Sequence, residues 1–180
     1  MAIAQPLLTS FFIEMSRPTL FIFSGLPATG KTTLSRALAK YLGATHLRID
    51  TIEQALRDLC QIQVEGEGYR LAYRVAADNL QLGLSVVSDS CNPIELTRRE
   101  WEQVAIDNDA DVLNIEVICS DKAEHRRRIE TRQTDIQTLK LPTWQDVLAR
   151  EYDLWSGDRL VIDTAGQTIT ESIATLVRQL

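Results

Sequence analysis

The sequence predicts a three-layer α/β fold, with a central parallel sheet of about five strands and helices on both faces. Two observations carry this. Short apolar runs alternate along the chain with segments of helical periodicity, the pattern of strands joined by right-handed crossover helices. The first and third runs, LFIFS (20–24) and LSVVS (84–88), are continuously apolar, as strands covered on both faces should be. A chain of 180 residues is long enough to bury a substantial core in one domain.

Taken in order, residues 1–16 read as an appendage. Their stretch PLLTSFFI is short, has no basic region before it and is followed by Glu14, which argues against a signal peptide or membrane span. Met15 is a candidate start, since MSRPTLFIFSGLP leads directly into the first strand. After that strand, Leu34, Ala37, Leu38, Tyr41 and Leu42 recur at helical spacing, with Gly43 as a stop. HLRI (46–49) is the second strand, followed by a stripe of Ile52, Ala55, Leu56 and Leu59. Tyr69, Tyr73, Ala76 and Leu80 mark the next helix, which ends at Gly83 before LSVVS. A helix around 94–108 carries Trp101, Val104 and Ala105, and LNIEVIC (113–119) is the fourth strand. Further helices begin near Asp121 and near Thr143, the second with Trp144, Val147 and Leu148. RLVI (159–162) is the fifth strand. Ile169, Ile173, Leu176, Val177 and Leu180 share one face of the last helix. Residues 17–180 thus form a single domain.

Composition narrows the class. Hydrophobic residues at 44% and charged residues at 24% fit an ordinary globular protein, and no apolar run reaches membrane length. The net charge of −6 disfavours a surface built throughout for nucleic acid, while leaving room for a local basic groove. Cys60, Cys91 and Cys119 are odd in number and lack CxxC spacing. They suit a reducing cytoplasm rather than a disulfide framework or zinc site. Cys60 and Cys119 lie among apolar neighbours and read as core.

The strongest chemical signal is Gly25-Leu26-Pro27-Ala28-Thr29-Gly30-Lys31-Thr32, followed by Thr33. It matches GxxxxGK[ST] at every fixed position, and it lies between a predicted strand and a predicted helix. Glycines let backbone N–H groups turn around phosphate oxygens. The helix beginning near Lys31 aims its positive end at the same anion. Lys31 adds a charge for the β- and γ-phosphates, and the Thr32 hydroxyl is a Mg²⁺ ligand. The fold expected is that of the P-loop NTPases, with a nucleoside triphosphate site.

Other candidates follow from position. Asp50, after the second strand and read as the cap of a helix from Thr51, sits where parallel sheets bind ligands. There it can orient an acceptor hydroxyl or take its proton. Asp89 ends the third strand as a Mg²⁺-holding carboxylate should, with Cys91 and Asn92 expected to line the same site. In HRRRIETR (125–132), Arg128 and Arg132 share a helix face and can neutralise a transferring phosphoryl group, whereas Arg126 and Arg127 read as solvated. His46 and His125 show no metal or triad arrangement.

With these residues in place, the chain resembles the small P-loop kinases, AAA-type ATP-binding kinases. These include the polynucleotide 5′-hydroxyl kinases, chloramphenicol phosphotransferase, gluconate and shikimate kinases and the zeta toxins. The resemblance spans nearly all of 19–180. Its carriers are GLPATGKTT, RID (48–50), GLSVVSDSCNP, RRRIETR and LVIDTAG. It implies Lys31 and Thr32 as ATP and Mg²⁺ ligands, Asp50 as the base and Arg128 or Arg132 as a lid arginine. It also implies a lid over RQTDIQTLKLPT (132–143), with Arg159 and the turn Asp163–Gly166 near the adenine. No NKxD motif is present, which favours ATP over GTP.

One departure bears on the acceptor. The first helical turn after Asp50 offers Glu53 where the polynucleotide kinases offer an arginine to a substrate phosphate. This favours an uncharged or small hydroxyl-bearing acceptor over a nucleic-acid end, in a pocket expected between Asp50, the Gly66–Arg74 region and Asp89. The rival readings are a polynucleotide 5′-hydroxyl or toxin-like kinase, and a regulatory ATPase or nucleotide-binding switch.

Overall fold

In the computed structural model, which describes residues 17–180, Thr19–Ser24 forms β1, and every residue in it is buried. Successive side chains of a strand serve opposite faces, and here both faces are covered. Leu20 and Ile22 enter one core with Ala72 and Trp101, while Phe21 and Phe23 enter another with Leu34, Leu38 and Leu176. Two-sided burial is why LFIFS shows no alternation. The appendage expected at 1–16 lies outside the described residues.

The remaining strands are β2 (Thr45–Arg48), β3 (Val86–Asp89), β4 (Asp111–Ile118) and β5 (Leu160–Asp163). All pairings are parallel, and the order across the sheet is β2-β3-β1-β4-β5. The chain goes from β1 out to β2, returns to β3 and crosses to β4 on the other side of β1. That reversal leaves a crevice at the carboxyl ends of β1 and β3, where open α/β sheets take ligands.

Helices complete the outer layers. α1 (Lys31–Leu42) and α7 (Ile169–Gln179) cover one face through Leu34, Leu38, Ala39 and Leu176. α3 (Glu67–Gln81) and α4 (Glu95–Asp107) cover the other through Ala72, Ala76, Leu80, Trp101 and Ala105. α2 (Ile49–Cys60), α5 (Lys122–Thr131) and the short α6 (Trp144–Ala149) flank the carboxyl edge. Among the described residues no helix is long and apolar enough to cross a membrane.

Several details differ from the pattern. Leu84 is exposed and β3 begins only at Val86, because Leu82–Leu84 still closes α3 through bonds to the Asn79 and Leu80 carbonyls. α2 begins at Ile49 with Arg48 in the cap position, so Asp50 lies inside the first turn rather than capping it. Leu59 and Cys60 are exposed at the end of α2, which removes Cys60 from the core; Cys119 is buried as expected. On α7, Ile169 and Leu180 are exposed and Leu176 carries the burial.

Trp101 is fully buried beneath the sheet and meets Tyr73 edge-on at 4.6 Å. Trp101→Ala is expected to cost about 3–5 kcal/mol in urea unfolding; a loss below about 1 kcal/mol would contradict this packing.

Candidate active site

Residues 25–30 form a loop between β1 and α1 whose shape is set by what touches its carbonyls. Thr29 Oγ1 and Lys31 Nζ both donate to Leu26 O, at 3.0 and 2.8 Å. The buried His125 Nε2 donates to Pro27 O at 2.8 Å, and Thr164 Oγ1 donates to Thr29 O at 2.8 Å. In a trans peptide the N–H points opposite to the C=O. Tying back the Pro27 and Thr29 carbonyls therefore turns the Ala28 and Gly30 N–H groups the other way, toward the crevice. Ala28, Thr29 and Gly30 donate no loop or turn backbone bond among the described residues. Pro27 has no N–H to waste.

Glycine is required at both ends of this loop. Gly25 has φ +136°, and a Cβ there would lie 2.2 Å from the Val117 carbonyl oxygen. Its N–H is taken by Cys91 O at 3.0 Å. Gly30 precedes α1 with φ +102°. Below the loop, Arg128 donates to Thr164 Oγ1 (2.7 Å) and Thr164 O (2.9 Å), and is held by Glu124 at 2.6 Å. Arg128 therefore braces the loop through Thr164.

Asp89 is 3% exposed, and its Oδ2 has no hydrogen-bond partner. A buried carboxylate oxygen left bare is costly. It lines the same cavity as Thr32, so the pair offers the hard oxygen donors that Mg²⁺ takes while keeping several waters. Behind them His46 Nε2 lies 3.0 Å from Ser35 Oγ and 3.9 Å from Asp89 Oδ2. Because Ser35 Oγ donates to Thr32 O at 3.2 Å, the His46 ring supplies the proton to Ser35.

The crevice opens into a cavity of about 1070 Å³ lined by Lys31, Thr32, Asp50, Asp89, Arg128 and Arg132, together with much of 132–143. Of the charged residues picked out along the sequence, Lys31, Asp50, Asp89, Arg128 and Arg132 thus line one cavity. Arg132, at the end of α5, is half-buried with its Nε unpartnered, and burial lowers its pKa against the opposing pull of Asp50. The segment over the cavity is fastened at two places: Asp135 pairs with Arg36 (2.6 Å) and Arg48 (2.7 Å), and Thr138 bonds Asp58 (2.7 Å) and Gln54 (2.9 Å).

Other expected residues go elsewhere. Arg159 precedes β5, pairs with Glu116 at 2.6 Å and lies over the Trp155 ring, outside the cavity lining. Asn92 turns inward, donating to Phe23 O and Ser24 Oγ, while Cys91 does line the cavity. The Gly66–Arg74 region contributes nothing to the lining. Gly68 is instead pressed against Glu53, where a Cβ would meet Cγ at 2.3 Å. Glu53 is paired with Arg57 at 3.0 Å, and burial raises its pKa. His125, Thr164 and His46 had no sequence signal pointing to these roles.

A parallel sheet in this order, with a phosphate-type loop after its central strand, defines a P-loop nucleotide-binding α/β protein. The chain belongs to the AAA domain family, whose model matches residues 20–152. Comparison with curated proteins found no match. Among solved structures, APS kinase from Mycobacterium tuberculosis, in complex with AMPPNP and APS, is similar at a TM-score of 0.68 and 17% identity, covering 90% of this chain and 96% of that one. A sugar kinase from Janibacter matches at 0.62 and 16%, covering 90% and 93%. A gluconokinase from Sinorhizobium meliloti matches at 0.62 and 14%, with the same coverage. All share the fold.

Gly25→Ala is expected to lower stability by roughly 1–3 kcal/mol from backbone strain alone, and to abolish nucleotide binding. Thermal melts and a nucleotide titration check both; unchanged values would contradict the loop geometry. His46 gives a pH test. Burial foremost holds its imidazole below the ordinary value of 6.5, with Arg36 and Arg48 acting the same way against Asp89. The unfolded chain then takes up a proton before the folded one, so stability is full above that value and declines as pH falls through it. His46→Gln should flatten this part of the melting-temperature profile between about pH 7.5 and 5.5, and an unaltered slope would remove His46 as its source.

Proposed function

We propose that this chain is a phosphotransferase that moves the γ-phosphoryl group of ATP, with Mg²⁺, to a hydroxyl group of a small molecule in the cytoplasm. The observation that carries the reading is the single cavity: Lys31 and the turned-in loop amides, the bare Asp89 oxygen and Asp50 all border it beneath one segment. A nucleotide switch needs the first two; a second carboxylate, Asp50, bordering the same cavity suits an acceptor. The similarity to a kinase whose structure holds AMPPNP supports ATP as donor.

In this reading the loop amides and Lys31 hold the β- and γ-phosphates. Thr32 and Asp89 hold the metal, which when bound would neutralise charge on the phosphate oxygens. Asp50 orients the acceptor hydroxyl and takes its proton as oxygen bonds to phosphorus and the bond to ADP breaks. Arg132 reaches the transferring group, with Arg128 acting through Thr164 and the loop. Residues 132–143 keep out water, the competing acceptor.

The test is ADP release across a panel of hydroxyl compounds. Stimulation by an acceptor, with a phosphorylated product, supports the reading. Inorganic phosphate as the only product with every compound would make the chain an ATPase or switch, and label transfer to a 5′-hydroxyl oligonucleotide would make it a nucleic-acid-end kinase. Lys31→Ala should abolish turnover. Asp50→Asn should keep ATP binding within about twofold while cutting transfer by roughly 10²–10⁴; equal loss of both would reduce Asp50 to a structural role.

A further inference from the structure

The clasp at Asp135 is an unusual use of two arginines. Arg36 comes from α1 and Arg48 from the end of β2, and each binds a different oxygen of one carboxylate, at 2.6 and 2.7 Å. Asp135 itself is half exposed, while Arg48 is 13% exposed and keeps a buried Nε without a partner. The Arg36 pair is half exposed at both ends, and exposed ion pairs contribute little, about 0–1 kcal/mol each. The clasp leaves one guanidinium donor unspent, the buried Nε of Arg48. Arg36 and Arg48 line the same cavity as Asp50.

We propose that Arg36 and Arg48 form a subsite for an anionic group on the acceptor, and that Asp135 occupies it as a stand-in until the acceptor displaces it. The acceptor is then an alcohol that also carries a phosphate, sulfate or carboxylate group, an inference that rests on the phosphotransferase reading. Glu53, the reason to expect an uncharged acceptor from the sequence, also lines the cavity, but its charge is offset by the ion pair with Arg57 at 3.0 Å. Displacement of Asp135 couples acceptor binding to movement of the segment over the cavity.

The test uses the full chain with the loop filled by excess nonhydrolysable ATP analogue, and inorganic phosphate as the probe in calorimetric titration. Asp135→Asn should bind phosphate roughly 3- to 10-fold more tightly than the unaltered chain, since the internal competitor is gone. Adding Arg48→Gln to that variant should remove the gain. Equal affinity in all three proteins would overturn the subsite. The preceding nucleotide titration tests the phosphotransferase reading separately; if no nucleotide binds, that reading fails, and the loop being common to all three proteins, their comparison still decides the subsite. Matched alcohols differing only in a phosphate, sulfate or carboxylate group then identify the source. The charged member of the effective pair should show the lower KM in ADP release, and uncharged members used as well as every charged partner would overturn the proposal.

Discussion

The site depends on the loop carbonyls of Leu26, Pro27 and Thr29 being taken by side chains. A loop of this size could collapse by bonding its own amides to its own carbonyls, which would leave nothing to offer an anion. Here His125 from α5 and Thr164 from the end of β5 claim the Pro27 and Thr29 carbonyls, while Thr29 and Lys31 claim that of Leu26. Peptide planarity then fixes which way the amides face. The donors are preorganised at no cost when a phosphate arrives, the condition under which such groups are worth most.

The sheet explains why these claimants are near. β1 lies at the centre with β3 on one side and β4 on the other. The loop leaving it therefore has Cys91 beyond β3 and Val117 of β4 within reach, the first accepting from Gly25 and the second excluding any Cβ there. β2 and β3 end side by side, Arg48 beside Asp89 in register, and so Asp50 and Asp89 arrive at one rim. The crossover order that buries β1 on both faces is the same order that assembles the cavity.

Much of this is legible in the residues. LFIFS announces two-sided burial by its lack of alternation, and LSVVS does so from Val86 on, its Leu84 being exposed; GLPATGKT carries its own chemistry. Asp50 and Asp89 could be placed because the carboxyl end of a parallel strand has a known relation to the ligand crevice. What stayed hidden is contact across long separations. Nothing local ties His125 to Pro27 or Thr164 to Thr29, and a histidine inside a basic run looks like part of that run. Arg159 shows the same thing in reverse: its partner Glu116, one strand away, could not be read from its neighbours. Glu53 reads in the sequence as a lone charge, whereas in the fold Arg57 is one helical turn along the same face and pairs with it.

The central claim is that donor phosphates and an acceptor hydroxyl meet in one cavity. Phosphorus NMR of a turnover mixture of the unaltered chain, ATP, Mg²⁺ and a pool of hydroxyl compounds addresses it most directly. The account predicts that the γ-phosphorus signal is replaced by that of a phosphate ester on carbon, alongside ADP. Replacement by inorganic phosphate alone, whatever the pool contains, would contradict it.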